Sequence, residues 1–399
     1  MRCLRDSRAP CGSQPVEENP LREPIHVCGI IPPHILRHIA EHGDEEQRAR
    51  ARTTLEESAA LRGERRIVAL TSPLLPLSPG QKQRTVYDAK KTHRLPGTLV
   101  RVEGAAATKD VCVNEAYDGS GQTYDFYSEV FGRNSIDDRG LRLDSTVHYG
   151  VQFDNAQWNG RQMMYGDGDK TIFNRFTIAL DVIGHELTHG VTQYTARLEY
   201  NDQPGALNEH MSDVFGVLVK QYSLKQTAAD ADWLVGAGLL AKGIHGSAIR
   251  SMKAPGSAYD DKLLGKDPQP AHMRDYQHIN DDSGGVHVNS GIPNHAFYLV
   301  ATLLGGHAWE VAGKIWYLAL TRKLHANASF SAAAAATFDA AGELFGAGSA
   351  AQHAVVEGWK EVGIATPHSG ASSSKSPAPA TPPHIRGPRT RLTIEAEQK

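Results

Sequence analysis

The sequence predicts an α+β fold in two lobes, the first rich in strands and the second helical. Two observations carry this. Between Arg84 and about Gly168 apolar residues recur in strand-length pieces such as STVHYGVQF, broken by Gly, Asp and Asn turns. After Ile178 the apolar spacing becomes helical almost throughout. With 399 residues the chain can bury a sizeable core and leave a cleft between lobes.

Residues 1–83 read as a separable N-terminal segment. It has Pro-rich punctuation around GIIPPHILRHIAEHG, a charged helical run DEEQRARARTTLEESAALRGERR, and the Pro-rich TSPLLPLSPG. Residues 84–194 form the strand-rich lobe. One helix is expected in it at TYDFYSEVF, aligning Tyr124, Tyr127 and Phe131, and the lobe closes with the helix LDVIGHELTHGVTQYT. Residues 195–365 form the helical lobe, from GALNEHMSDVFGVLVKQY through GIPNHAFYLVATLLGG, HAWEVAGKIWYLAL and SAAAAATFDAAGELF to SAAQHAVVEGWKEVG. Residues 366–399, rich in Pro, Ser and Ala, are expected to be a flexible basic tail.

A formal net charge of −3 with scattered basic residues argues against a nucleic-acid groove or a charged membrane surface. No stretch approaches the apolar length of a spanning helix, so no membrane partner is expected. The first twenty residues lack the apolar core of a secretory signal. Cys3, Cys11, Cys28 and Cys112 form no CxxC pair, and reduced thiols are the expectation.

The stretch GHELTHG places His185 and His189 four residues apart. On a helix that spacing puts both imidazoles on one face, able to grip a metal ion with Glu186 beside it, or simply to decorate an amphipathic helix. A catalytic zinc needs a third protein ligand and an open position. GALNEHMSD supplies one: Glu209 and Asp213 share a face, so Glu209 could complete the set while Asp213 orients an imidazole through its other nitrogen. A solvated acidic face is the alternative, but Leu207, Met211, Val214 and Phe215 mark a partly buried helix where unpaired carboxylates are costly.

HExxH followed about twenty residues later by NExxSD resembles the thermolysin-like zinc metallopeptidases. The resemblance runs from about Arg84 to Ile364 and includes NAQWNG, MMYGDGD, HELTHGVTQYTA, GALNEHMSD, RSM and SGGVHVNSGI in family order. It implies a two-lobed metalloendopeptidase with zinc on His185, His189 and Glu209 in the cleft, Glu186 as the base for water, and His287 and Tyr200 as donors to the oxyanion. Asp282 would hold His287. Asn155 and the Ala156 backbone would pair with an extended peptide, and Arg250 would hold a substrate carbonyl. Phe173, Phe176, Val182 and Ile249 fall where the family lines the pocket after the scissile bond, implying a bulky apolar preference there, although core packing would also use them.

Two departures matter. Family calcium ligands correspond here to Lys220, Leu234, Ala237 and Ser247, leaving Asp181 and Asp232, so little or no calcium dependence is expected. HVCGIIPPHIL resembles the short propeptide of the protealysin-like branch. It implies an inactive precursor, inhibited by its own segment and cleaved between about Arg65 and Arg84. Cys28 could cap the zinc through sulfur or be an ordinary small buried thiol.

A zinc aminopeptidase would share HExxH and a downstream Glu, but the chain has no GxMEN-like run to anchor a free amine. A noncatalytic zinc-binding protein has no use for Glu186 and His287. Protein or peptide substrates and a monomer are expected. Family habit implies secretion, whereas the N-terminal sequence leaves a cytoplasmic enzyme as the alternative.

Overall fold

A computed structural model describes residues 29–71 and 81–366. Its first elements belong to the N-terminal segment. Helix α1 (Pro33–His42) starts on a proline, whose fixed φ suits a first helical position and whose missing N–H costs nothing there. The expectation of Pro-rich punctuation here is corrected: Ile35, Leu36 and Ile39 recur at helical spacing and are buried. Helix α2 (Glu45–Thr71) is the charged run. Its start is a reciprocal capping box: Gln47 N donates to Asp44 Oδ1 and Asp44 N to Gln47 Oε1, both at 2.9 Å.

The first lobe carries a mixed sheet of β1 (Arg84–Asp88), β2 (Thr98–Val102), β3 (Leu143–Val147), β4 (Ala156–Trp158) and β5 (Met163–Tyr165). Its order is β2-β1-β3-β5-β4, with β3 parallel to both β1 and β5. Two expectations are corrected. The strand in STVHYGVQF stops at Val147, because His148 turns the chain with φ of 52°. The helix at TYDFYSEVF is the second half of α3 (Val111–Phe131). Its first half is rich in Gly and polar residues, which masked the helical period; Asp110 caps it through Cys112 N and Val113 N.

The helical lobe contains α5 (Asp202–Leu224), α7 (Gly291–Leu304), α8 (Ala312–Leu318), α9 (Phe330–Phe345) and α10 (Ala350–Glu361). Between Lys225 and Asp281 the helical period expected after Ile178 gives way to mostly irregular chain, with short strands such as β6 (Leu234–Val235) and β7 (Arg250–Ser251) and a 3-10 turn at Met273–Asp275. The α6 segment (Asp282–Asn289) is broken at Ser283–Gly285 by three residues with positive φ. Gly284 is required there, since a Cβ would run into Asp202.

Helix α4 (Leu180–Gln193) links the lobes and crosses α5 at close range. A Cβ on Gly184 would lie 3.1 Å from Gly216 Cα, and one on Gly216 would lie 2.9 Å from His185 N. That glycine contact lets two long helices approach closely enough for side chains of each to converge. Among the described residues no helix is long and apolar enough to cross a membrane.

Candidate active site

His185 and His189, one turn apart on α4, bring their Nε2 atoms to 3.1 Å of each other. Glu209 reaches in from α5, with Oε2 3.6 Å from His185 Nε2 and Oε1 3.4 Å from His189 Nε2. Donors about 2.1 Å from a tetrahedral zinc would stand roughly 3.4 Å apart, so this triad fits the ion. All three residues are buried.

Each ligand is held from behind. His185 Nδ1 donates to Asp213 Oδ1 at 2.8 Å, and His189 Nδ1 to Asn208 Oδ1 at 2.9 Å, with Ser212 Oγ also 3.1 Å away. Tyr200 OH donates to Glu209 Oε1. Burial pushes the Glu209 carboxyl up, but the imidazoles of His287, His189 and His185 and the Arg250 guanidinium hold it down at about 2. It is a carboxylate ready for a cation.

Glu186, the next residue on the zinc helix, accepts from Trp158 N of β4 at 2.9 Å. His287 lies opposite: its Nε2 is 3.4 Å from Tyr200 OH and 3.6 Å from Glu209 Oε2. Asp282 holds this residue twice over, accepting from the ring Nδ1 of His287 at 2.6 Å and from its main-chain N at 3.0 Å. Burial works against the imidazolium, but Asp282 and Glu209 together raise its pKa. Gln269 Nε2 donates to the His287 carbonyl at 2.7 Å.

Asp213 also binds the Arg250 guanidinium, at 2.9 Å from Nε and 2.8 Å from Nη2, and accepts from Asn294 Nδ2 at 2.8 Å. Arg250 and His185 hold Asp213 ionised far below the usual carboxylate range despite its burial. The remaining Arg250 nitrogen, Nη1, donates to the main-chain oxygen of Ile30 at 3.1 Å.

Ile30 is part of the N-terminal segment, which runs along the edge of the sheet. Gly29 bridges Gln157 in antiparallel register, Ile30 N donates to Ala156 O at 3.1 Å, and Ile31 N donates to Asn155 Oδ1 at 3.0 Å. Ile30 is fully buried in the same apolar cluster as Phe173, Phe176, Val182 and Ile249. The space left among Gly29, Tyr200, Asp282 and His287 is about 20 Å³, room for roughly one water. Helix α2 adds Arg50, whose Nη2 donates to the buried Asp169 at 2.7 Å, and Ser58, which accepts from Gln157 at 2.8 Å. Cys28 and most of the span 65–84 expected to contain the cleavage point lie outside the described residues, or have side chains that do.

Two family descriptions cover both lobes: the thermolysin metallopeptidase catalytic domain matches residues 77–193, and the thermolysin metallopeptidase alpha-helical domain matches 196–364. The chain belongs to the thermolysin metallopeptidase family. A third description, the protealysin propeptide, matches residues 28–64. The extracellular metalloprotease of Pectobacterium carotovorum is 52% identical over 85% of this chain and 96% of its own length. The protease PrtS of a Photorhabdus species is 50% identical over 84% and 92%. The solved precursor of protealysin, a metalloproteinase of Serratia proteamaculans, matches with a TM-score of 0.77 and 52% identity, covering 85% of this chain and all of that one. The chain is thus a thermolysin-family zinc endopeptidase in precursor form, with a single catalytic zinc site on His185, His189 and Glu209.

Several residues of this thermolysin-family site lie outside the set that the sequence predicts. Asn208 and Ser212 sit inside NEHMSD and could have been found from it, since they flank Glu209 and Asp213. Asn294, Gln269 and the Trp158 amide carry no local signal.

Proposed function

We propose that the chain is secreted as a monomeric zymogen whose residues 1–83 block the cleft between lobes 84–194 and 195–365, and that removal of this segment frees an endopeptidase preferring a bulky apolar residue after the scissile bond. The observation that carries this reading is the main chain of Gly29–Ile31, held on the strand edge as an extended peptide would be, with Ile30 fully buried and its carbonyl on Arg250, which clamps Asp213 behind the zinc ligand His185. A substrate taking that course would present its own side chain where Ile30 is now fully buried, which fits a bulky apolar residue there. Secretion rests on the relatives whose names describe them as extracellular.

His185, His189 and Glu209 would hold the zinc ion, which would supply a Lewis acid to acidify water and polarise a peptide carbonyl. Glu186, beside the triad and steadied by Trp158 N, takes the proton from the attacking water and delivers it to the leaving nitrogen. His287 and Tyr200 donate to the carbonyl oxygen as it gains charge, and Asp282 keeps His287 oriented and charged. Asp213 fixes the His185 tautomer, Asn155 and Ala156 align the peptide, and Arg250 grips its carbonyl.

The test is casein digestion by the processed chain, with cut positions mapped by mass spectrometry. Internal cuts before Leu, Ile or Phe are expected, with Glu186→Gln losing at least about a thousandfold in kcat. Trimming only from chain ends, or full activity in Glu186→Gln, would overturn the reading.

A further inference from the structure

A second group of metal-type donors lies in the strand-rich lobe, away from the zinc helix. Asp110, Cys112 and His148 bring a carboxylate oxygen, the thiol sulfur and an imidazole nitrogen within 4.8 Å of one another. Each comes to this point for a structural reason. Asp110 is the N-cap of α3 and uses Oδ1 to bind the amides of Cys112 and Val113, which leaves Oδ2 turned toward His148 Nε2 at 2.8 Å. Cys112 is in the first turn of that helix and is buried. His148 follows the last residue of β3 with its backbone in the left-handed region.

Behind the imidazole stands a further carboxylate. His148 Nδ1 donates to Asp167 Oδ1 at 2.7 Å, the same relation that Asp213 bears to His185 at 2.8 Å in the catalytic site. With Asp167 on Nδ1 and Asp110 on Nε2 the imidazole is raised to about 9, so an ion must displace the Nε2 proton, after which Asp167 fixes the tautomer whose Nε2 lone pair faces the ion. Burial, followed by the charges of Asp167, Asp110 and Glu115, pushes the Cys112 thiol up to about 11, so the ion must also displace its proton; Glu115 is balanced by Arg175. The Asp110 side chain is 38% exposed and His148 20%, so an ion and a completing water can reach the point from solvent.

We propose that Asp110, Cys112 and His148 bind a second divalent cation of the zinc type, with Asp167 orienting His148. Sulfur, imidazole nitrogen and one carboxylate oxygen suit a borderline ion and are a poor set for calcium, which needs six or more oxygens. The ion ties the first turn of α3 to the end of β3. The proposal does not depend on the catalytic reading.

Cobalt(II) titration of the full-length chain, zinc already in the catalytic site, tests it. The background is the triple variant Cys3→Ser/Cys11→Ser/Cys28→Ser, in which Cys112 is the remaining thiol. A thiolate-to-cobalt charge-transfer band in the near ultraviolet is expected, which a His/His/Glu site cannot produce. Cys112→Ser should abolish the band while casein hydrolysis, after processing, confirms that the variant folds. Asp110→Asn keeps the helix cap but loses the anionic oxygen, and should weaken cobalt binding at least tenfold. Absence of the band, its survival in Cys112→Ser, or unchanged affinity in Asp110→Asn would each overturn the assignment.

Discussion

The Ile30 carbonyl oxygen accepts from Arg250 Nη1 at 3.1 Å, while the other edge of that guanidinium clamps Asp213. One arginine thus joins the N-terminal segment to the residue that orients a zinc ligand. Ile30 is fully buried, and Ile30→Ala should weaken docking of the segment by about 2–5 kcal/mol, a factor of thirty or more. Faster conversion of purified precursor, followed by mass spectrometry, is the expected outcome. Conversion at the unsubstituted rate would show that this side chain does not hold the segment.

Acid should loosen the same segment. His34 of α1 lies against Tyr259, with Nε2 2.8 Å from its hydroxyl, and burial, opposed by Asp282 and aided by His287, Arg250 and Arg37, lowers its pKa to about 4. A released His34 returns toward its ordinary value near 6.5. The released state therefore binds the proton more readily, so docking is strongest above about pH 6.5 and weakens as pH falls toward 4. The full effect is on the order of 3 kcal/mol. The processing rate between pH 7 and pH 4.5 should rise in the native chain, and His34→Gln should flatten the rise; an identical profile in the variant would refute the role.

Lys220 explains why a calcium requirement is not expected. Its ammonium lies 2.8 Å from Asp181 Oδ2, 3.0 Å from Asp232 Oδ1 and 2.8 Å from the Leu234 carbonyl, a tethered cation among ligands that would suit a metal. Lys220→Met should strand the buried Asp181 carboxylate and cost about 3–5 kcal/mol, read as a lower Tm. Lys220→Glu should lower Tm as well and make it rise with added calcium. A native Tm that drops when calcium alone is removed would contradict this account.

Asp213→Asn should reduce zinc affinity about 10–100-fold, because His185 loses the carboxylate behind it. The same change leaves Arg250 without its buried counter-charge and should lower Tm. Competition with a zinc chelator measures the first effect and thermal unfolding the second. Native zinc affinity in the variant would remove Asp213 from the ligand-orienting role.

Legibility followed range along the chain. HExxH was readable because i and i+4 share a helix face whatever the rest of the fold does, and NEHMSD was readable for the same reason. Helix α1 was missed because two prolines precede its buried face, and the start of α3 because glycines diluted its period. Asn294 on Asp213 and Gln269 behind His287 were invisible, since nothing near them in sequence marks their partners. Lys220 could be named as a lost calcium ligand, but not as the cation replacing the metal.

By itself the sequence determined which residues can bind zinc, which helices carry them, and the α+β division into a strand-rich and a helical lobe, since all of these follow from local spacing and apolar period. Only the tertiary structure decided that the two helices approach through Gly184 and Gly216 closely enough for Glu209 to meet both imidazoles. It alone also laid Gly29–Ile31 along β4 and brought Arg250 against Ile30, across 220 residues. Such meetings depend on how whole elements pack, and that packing is summed over the entire core, so no short window of sequence contains it.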